Sequence, residues 1–281
     1  MKNSTIISGA ELNSKLSDPA LVLLDARTGA SAMEDYLKSH LKGALFVDLN
    51  KDLSSVKQDP AEGGRHPLPP ISVFLETVSK LGITPQSFVV IYDTSFGANA
   101  AARAWWMLKA IGINDVYVLD GGLSAGISAG LPLSAGAEAA KPTERIVVTT
   151  WSLPVVSLRE VKSAIDHKSQ IVIDVREEGR YNGDFEPIDL VAGHIPGALN
   201  VPFSENIDEQ GLFKKKEVLG SKYSSLLEKM KSGSVIVHCG SGVTACHTIL
   251  AMSYAGLEVP TLYVGSWSEW SRSSQPLVTK K

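Results

Sequence analysis

Four short segments of this 281-residue chain occur twice in the same order, and a chain made of two copies of one unit has few folds open to it. Leu23-Leu24-Asp25-Ala26-Arg27 returns as Val172-Ile173-Asp174-Val175-Arg176 at a displacement of 149 (23 to 172). His40-Leu41-Lys42-Gly43-Ala44-Leu45 returns as His194-Ile195-Pro196-Gly197-Ala198-Leu199 at 154 (40 to 194), the small drift being what loop insertions produce. Val89-Val90-Ile91-Tyr92-Asp93 aligns with Val235-Ile236-Val237-His238-Cys239 at 146 (89 to 235), and Tyr117-Val118-Leu119-Asp120-Gly121 with Leu262-Tyr263-Val264-Gly265. Each copy alternates short runs of Val, Ile and Leu with helical-period stretches such as Ala101 to Ala110 and Ala245 to Ala255. That alternation predicts an α/β fold of two homologous domains, each a mostly parallel sheet flanked by helices. The expected organisation is a first domain over 1–130, a linker over 131–151 rich in Pro, Ser, Gly and Ala, and a second domain over 152–281.

Composition excludes several classes of function. With 44% hydrophobic and 20% charged residues, the chain has the make-up of a folded globular protein. A formal net charge of -3 supplies no field to gather nucleic acid or anionic lipid, so neither is expected as a partner. The one basic run, Lys214-Lys215-Lys216, reads as a solvated loop face. The first 18 residues lack the apolar core of a secretory signal, and no segment approaches 18 uninterrupted apolar residues, so a cytoplasmic location is expected. Only two cysteines occur, Cys239 and Cys246, and in a reducing compartment they read as free thiols.

Chemistry concentrates at one of them. Val235-Ile236-Val237 is a buried-strand candidate, Thr244 onward has helical composition, and Cys239 begins the tight loop between. Open sheets bind ligands at that carboxyl edge. Gly240 and Gly242 permit a backbone that turns successive N–H groups inward, and the helix behind adds the positive end of its dipole. Such electropositive settings lower a thiol's pKa to about 3.5–7.5, so Cys239 is placed to be a nucleophile. The plain alternative is a small core cysteine, but a core cysteine needs no glycines beside it. Cys246 lies a helical distance further on among Ala245, Ile249 and Leu250, where packing is the default role. A cysteine-dependent phosphatase would need an arginine six residues after the thiol, and position 245 is alanine. A shorter, arginine-free nest suits a smaller group, such as one extra sulfur carried on the thiolate.

These residues resemble the tandem-domain rhodanese-like sulfurtransferases over nearly the whole chain. Cys239-Gly240-Ser241-Gly242-Val243-Thr244 resembles the active loop of the 3-mercaptopyruvate branch, whereas thiosulfate-preferring relatives carry basic residues just after the cysteine. Gly193-His194-Ile195-Pro196-Gly197-Ala198, Gly265-Ser266-Trp267-Ser268-Glu269-Trp270 and Arg65-His66-Pro67-Leu68-Pro69 fit as well. The resemblance implies two rhodanese-like domains of which only the second is catalytic. The repeat agrees, because Asp93 stands where Cys239 does and a carboxylate could not carry sulfur. It further implies that Cys239 takes sulfur from the donor as a persulfide and passes it to a thiol, such as thioredoxin or a low-molecular-weight thiol, or to cyanide. The loop of Gly240, Gly242, Val243 and Thr244 would hold the anion, without a cofactor or metal.

Two polar groups are proposed in that family to assist the leaving enolate, and they match Ser241 and His66; the acidic member that accompanies them falls at Asn50, with Asp48 nearby. Of two arginines that bind the donor carboxylate, Arg180 matches the first. The second falls in a Glu-Pro-Arg triplet that here reads Glu186-Pro187-Ile188, and Arg65 is expected to substitute. Asp174 with Arg176, Asp25 with Arg27, and the pair His40 and His194 recur in both copies and read as structural. Trp267 is held as pocket wall. Thiosulfate is the alternative donor. Two other classes stay open: a non-catalytic rhodanese-like binding module, and a redox protein pairing Cys239 with Cys246.

Overall fold

The computed structural model describes residues 5–230 and 234–279; residues 1–4 of the stretch examined for a leader lie outside them. The chain forms two compact units. The first takes in residues 1–54, 68–152 and 209–213, and the second residues 55–67, 153–208 and 214–281.

In the first unit, strands β1 (Ile6–Ile7), β2 (Leu21–Asp25), β4 (Leu45–Phe46), β5 (Phe88–Tyr92) and β6 (Val116–Leu119) form one sheet in the order β1-β6-β5-β2-β4, every pairing parallel. Strand β3 (His40–Leu41) pairs antiparallel with β7 (Leu133–Ser134) apart from that sheet. Helices α1 (Gly9–Asn13), α2 (Ala32–Lys38), α3 (Ile71–Lys80), α4 (Ala100–Ala110) and α5 (Gly122–Ser128) connect them. Of the stretch 131–151, β7 lies on β3 and the Thr143 N–H donates to the Ser79 carbonyl at 3.0 Å, so this segment packs on the first unit.

The second unit repeats the scheme. Strands β8 (Val155–Val156), β9 (Ile171–Asp174), β10 (Leu199–Asn200), β11 (Val235–His238) and β12 (Thr261–Tyr263) pair in parallel in the order β10-β9-β11-β12-β8, the same topology as the first sheet. Its helices are α6 (Leu158–His167), α7 (Glu178–Asn182), α8 (Lys216–Met230), α9 (Thr244–Tyr254) and α10 (Ser266–Trp270). Central strands β9 and β11 are buried at every position, which is why they read as unbroken apolar runs instead of alternating ones. Among the described residues no helix is long and apolar enough to cross a membrane.

The duplication extends to helix caps and hydrogen bonds. Ser8 with Glu11 and Ser157 with Glu160 form complete capping boxes at the starts of α1 and α6. In both copies an arginine two residues after the strand aspartate folds back on it: Arg27 Nη2 lies 2.5 Å from Asp25 Oδ2, and Arg176 Nη2 2.6 Å from Asp174 Oδ2. The same guanidinium groups also donate to the carbonyls of Ser39 and Gly193, the residues preceding the paired histidines. Those histidines are structural too. His40 Nδ1 and His194 Nδ1 each sit 2.8 Å from a tyrosine carbonyl, of Tyr36 and Tyr181, with the rings stacked at 4.1 and 3.7 Å.

Candidate active site

The carboxyl end of the central strand is where the two units diverge in chemistry. The Ala26 N–H donates to the Tyr92 carbonyl, and the Val175 N–H to the His238 carbonyl, so Asp93 and Cys239 leave their sheets at equivalent points. In the first unit the loop after β5 closes around its own side chain. Asp93 Oδ1 accepts from the N–H groups of Ser95 and Gly97, both at 2.8 Å, and Oδ2 from those of Asn99 and Ala101 at 3.1 and 3.2 Å. Burial pushes this carboxyl up, against the pull of the four amides. The loop is an anion cradle, filled from within.

In the second unit the loop is two residues shorter, running from Gly240 to Val243 before α9, against Thr94 to Asn99 before α4. Its back is pinned: the Trp267 N–H donates to the Cys239 carbonyl at 3.0 Å and the Ser268 N–H to the Gly240 carbonyl at 2.9 Å. Gly242 adopts φ +73°, and a methyl group there would lie 2.5 Å from the Val264 carbonyl oxygen, so only glycine closes this turn. Among the described residues, the N–H groups of Gly240, Ser241, Val243 and Thr244 meet no acceptor, and no side chain caps α9. Cys239 opens this loop with 3% of its surface exposed. Cys246 is fully buried, its Sγ 3.4 Å from the Gly242 carbonyl oxygen, and both thiols are free.

Residues 55–67, which in sequence belong to the first copy, are part of this second unit and supply two of the expected site residues. The segment is closed at its ends by the Ser55 N–H donating to the Pro67 carbonyl at 2.9 Å. Gly64, at φ +86°, lets the backbone pass so near α10 that a methyl group would stand 2.4 Å from the Gly265 carbonyl oxygen. The next N–H, of Arg65, then donates to Ser268 Oγ at 3.0 Å. This seating brings His66 Nδ1 to 2.8 Å from Ser241 Oγ, a hydrogen bond the hydroxyl donates when that nitrogen is unprotonated.

Arg180 and Arg65, the two arginines expected to hold a carboxylate, do meet at one, and it is the protein's own. Asp189 Oδ1 lies 3.0 Å from Arg65 Nε and 3.4 Å from Arg272 Nη1, and Oδ2 lies 3.3 Å from Arg180 Nη2. The cluster covers the loop at Gly240, where a methyl group would meet Arg65 Nη2 at 2.9 Å, Asp189 Oδ2 at 3.4 Å and Arg180 Nη2 at 3.5 Å. Burial lowers the basicity of Arg180, but Glu186, Asp189 and the nearby Cys239 more than restore it. Ile188, at the position of the missing arginine, is 53% exposed.

Glu186, Asp189 and Arg272 escaped the sequence reading. The Glu-Pro-Ile triplet was informative only for the arginine it lacks, and nothing in the spacing ties residue 272 to residue 189. Trp267 proves to be core: it is fully buried, with its Nε1 donating to the Val191 carbonyl at 2.8 Å and Arg176 stacked over its ring at 4.6 Å. His238, next to the thiol, is fully buried; burial pushes its imidazole down despite Asp174, and it is a neutral neighbour at pH 7.

Glu186 is the brace of the arginine cluster. Burial pushes its carboxyl up, but hydrogen bonds from Arg180 and the backbone N–H groups of Asp189 and Ile188 outweigh that and hold it below the ordinary carboxylate range. A depressed carboxylate contributes stability that is present above its unfolded pKa, about 4.3, and is lost as pH falls through the lower folded value. Glu186→Gln is therefore expected to flatten the acid limb of a stability-versus-pH curve. An acid limb as steep as the parent's would show that Glu186 is not so held.

Comparison with known proteins identifies the family. Residues 8–129 and 157–273 each match the profile of the rhodanese-like domain. A Pseudomonas aeruginosa protein named "Probable 3-mercaptopyruvate sulfurtransferase" is 39% identical over 278 residues, covering 96% of each chain. The 3-mercaptopyruvate sulfurtransferase of Rattus norvegicus is 34% identical over 273 residues, covering 94% of this chain and 90% of that one. Among solved structures, the 3-mercaptopyruvate sulfurtransferase from Leishmania major superposes with a TM-score of 0.80 at 28% identity, over 95% of this chain and 74% of that one. With both halves matched and its relatives aligned almost end to end, the chain belongs to the rhodanese-like family and is a sulfurtransferase.

Proposed function

We propose that the second unit moves a sulfane sulfur from 3-mercaptopyruvate to a thiol or cyanide through a persulfide on Cys239. The observation that carries this reading is the paired loop. Where the first unit wraps four amides around the carboxylate of Asp93, the second presents a loop at a cysteine in which the N–H groups of Gly240, Ser241, Val243 and Thr244 meet no acceptor among the described residues. In the first half-reaction the Cys239 thiolate attacks the donor sulfur. An S–S bond forms, the C–S bond breaks, and its electron pair leaves on carbon as the enolate of pyruvate, which takes up a proton. The proton that the donor thiol gives up on becoming the persulfide anion is the one the enolate takes, relayed through Ser241 and His66, whose hydroxyl and imidazole end in the states in which they began. The loop amides stabilise the persulfide anion. In the second half-reaction an acceptor thiolate attacks the outer sulfur and Cys239 is released as thiolate.

Arg180 and Arg65 bind the donor carboxylate in this scheme, Arg65 standing in for the arginine absent at 188. Thioredoxin or a low-molecular-weight thiol serves as acceptor. The first unit is non-catalytic, since Asp93 offers no sulfur to load. The two free cysteines are in keeping with a reducing, cytoplasmic setting.

Incubation with 3-mercaptopyruvate followed by intact-mass measurement is expected to add the mass of one sulfur atom, localised to the peptide bearing Cys239. Loading by thiosulfate alone would reassign the donor, and no adduct from either would favour a binding module. Loss of two hydrogens on mild oxidation would point to a Cys239–Cys246 redox pair.

A further inference from the structure

The carboxylates of Glu186 and Asp189, three residues apart, are held in different ways. Glu186 Oε1 accepts from Arg180 Nη2 at 2.7 Å and from the N–H groups of Ile188 and Asp189 at 3.1 Å, while Oε2 accepts from Arg180 Nε at 3.1 Å and Arg176 Nη1 at 3.2 Å. Asp189, its side chain fully buried, takes donors among the described residues from arginines only: Arg65 at 3.0 and 3.4 Å, Arg180 at 3.3 Å and Arg272 at 3.4 Å. Charge-assisted N–O contacts between well-fitted partners run at about 2.7–2.9 Å. Three guanidinium groups thus converge on one loosely seated carboxylate. Arg180 is already matched by Glu186, so Arg65 and Arg272 leave the seat with one positive charge more than Asp189 neutralises.

The seat abuts Gly240, the residue after the thiol, with Asp189 Oδ2 only 3.4 Å from where a methyl group there would stand. The segment that delivers Asp189 runs between two glycines of positive φ, Gly183 (+92°) and Gly193 (+121°). Its apolar side chains do not anchor it: Phe185, Ile188 and Leu190 are 51%, 53% and 63% exposed. The arginine cluster holds the Asp189 carboxylate, while the backbone on either side is tied separately, the Asp189 N–H donating to Glu186 Oε1 at 3.1 Å and Trp267 Nε1 to the Val191 carbonyl at 2.8 Å.

We propose that Asp189 is an internal substitute for a ligand's carboxylate, and that the seat of Arg65, Arg180 and Arg272 takes a small monocarboxylate of the 2-oxo acid class in exchange for it. Arg272 is then a donor-binding residue, filling with Arg65 the role that position 188 leaves open. The proposal rests on the sulfur-donor reading of the site. Self-occupancy lowers the apparent affinity for the ligand by the fraction of seats that are free, so removing the occupant's charge tightens binding.

Pyruvate, which carries the carboxylate and no sulfur, is the probe. By calorimetry, Asp189→Asn is expected to lower the pyruvate Kd about tenfold and Arg272→Gln to raise it about tenfold, a coupling of ordinary size for exchanging ligands. An unchanged or raised Kd in Asp189→Asn would make Asp189 a brace like Glu186 and overturn the proposal. A second measurement uses the unaltered protein: pyruvate is expected to speed chymotryptic cleavage at Phe185 and Leu190, because the segment loses its side-chain tether to the arginines and keeps only its backbone ties, and slowed or unchanged cleavage would overturn it equally. Sulfur loading of Cys239, followed by mass in the same proteins, reports the sulfur-donor reading separately. Loading with no effect of Asp189→Asn on pyruvate defeats the exchange alone; absence of loading defeats the reading beneath it.

Discussion

Cys239→Ser is expected to reduce kcat/KM for 3-mercaptopyruvate by about four orders of magnitude or more, the scale on which removal of a covalent nucleophile acts. The hydroxyl is smaller and far harder to ionise, so it neither attacks sulfur nor carries a persulfide. The fold has little reason to respond. The Cys239 carbonyl and N–H, bonded to Trp267 and Ser266, are backbone groups that the substitution leaves in place. Steady-state turnover and thermal unfolding together check this: activity within tenfold of the parent would move the chemistry elsewhere. Cys246 is the only other thiol in the sequence, and at zero exposure it is badly placed to take over.

Gly64→Ala is expected to have the next largest effect, although residue 64 touches no reacting atom. The new methyl group would lie 2.4 Å from the Gly265 carbonyl oxygen and 2.9 Å from Ser268 Oγ, at a φ of +86° that alanine resists. Backbone strain of this kind costs about 1–3 kcal/mol. The cheapest relief is for residues 55–67 to lift away, which breaks the Arg65 N–H bond to Ser268 and parts His66 from Ser241. Loss of a positioned acid–base pair costs about a hundredfold or more in rate. Gly112→Ala is the control: φ is +92° there, but nothing lies within 4 Å of the added carbon. It should lower Tm modestly and leave turnover intact. Equal activities for the two variants would refute the seating role of Gly64.

The architecture was legible because it is written twice. The short apolar runs at Val172–Ile173 and Val235–Val237 read as buried strands, and their recurrence in order predicted the same topology for both sheets. Cys239 was legible because an apolar run, a thiol and two glycines coincide. Its low exposure was not, and neither was the cover on Gly240 beside it, which depends on where the segment bearing Asp189 comes to rest. The arginine cluster shows the limit most clearly. Arg65, Arg180, Asp189 and Arg272 span more than two hundred residues of sequence and meet only after three loops are folded, so no local periodicity marks them. Arg65 and Arg180 were found through the motifs around them; Asp189 and Arg272 lie just past the Glu186–Ile188 and Gly265–Trp270 segments, whose patterns do not extend to them.

Asp93 turns the same loop into a keystone. Its carboxylate is tethered through the chain to the amides that grip it, so the first cradle stays full at any metabolite concentration, whereas under the proposed mechanism the second is emptied and refilled. Equivalent damage in the two copies therefore surfaces as different defects. In one it leaves a chain that folds less well, and in the other a chain that folds and no longer turns over.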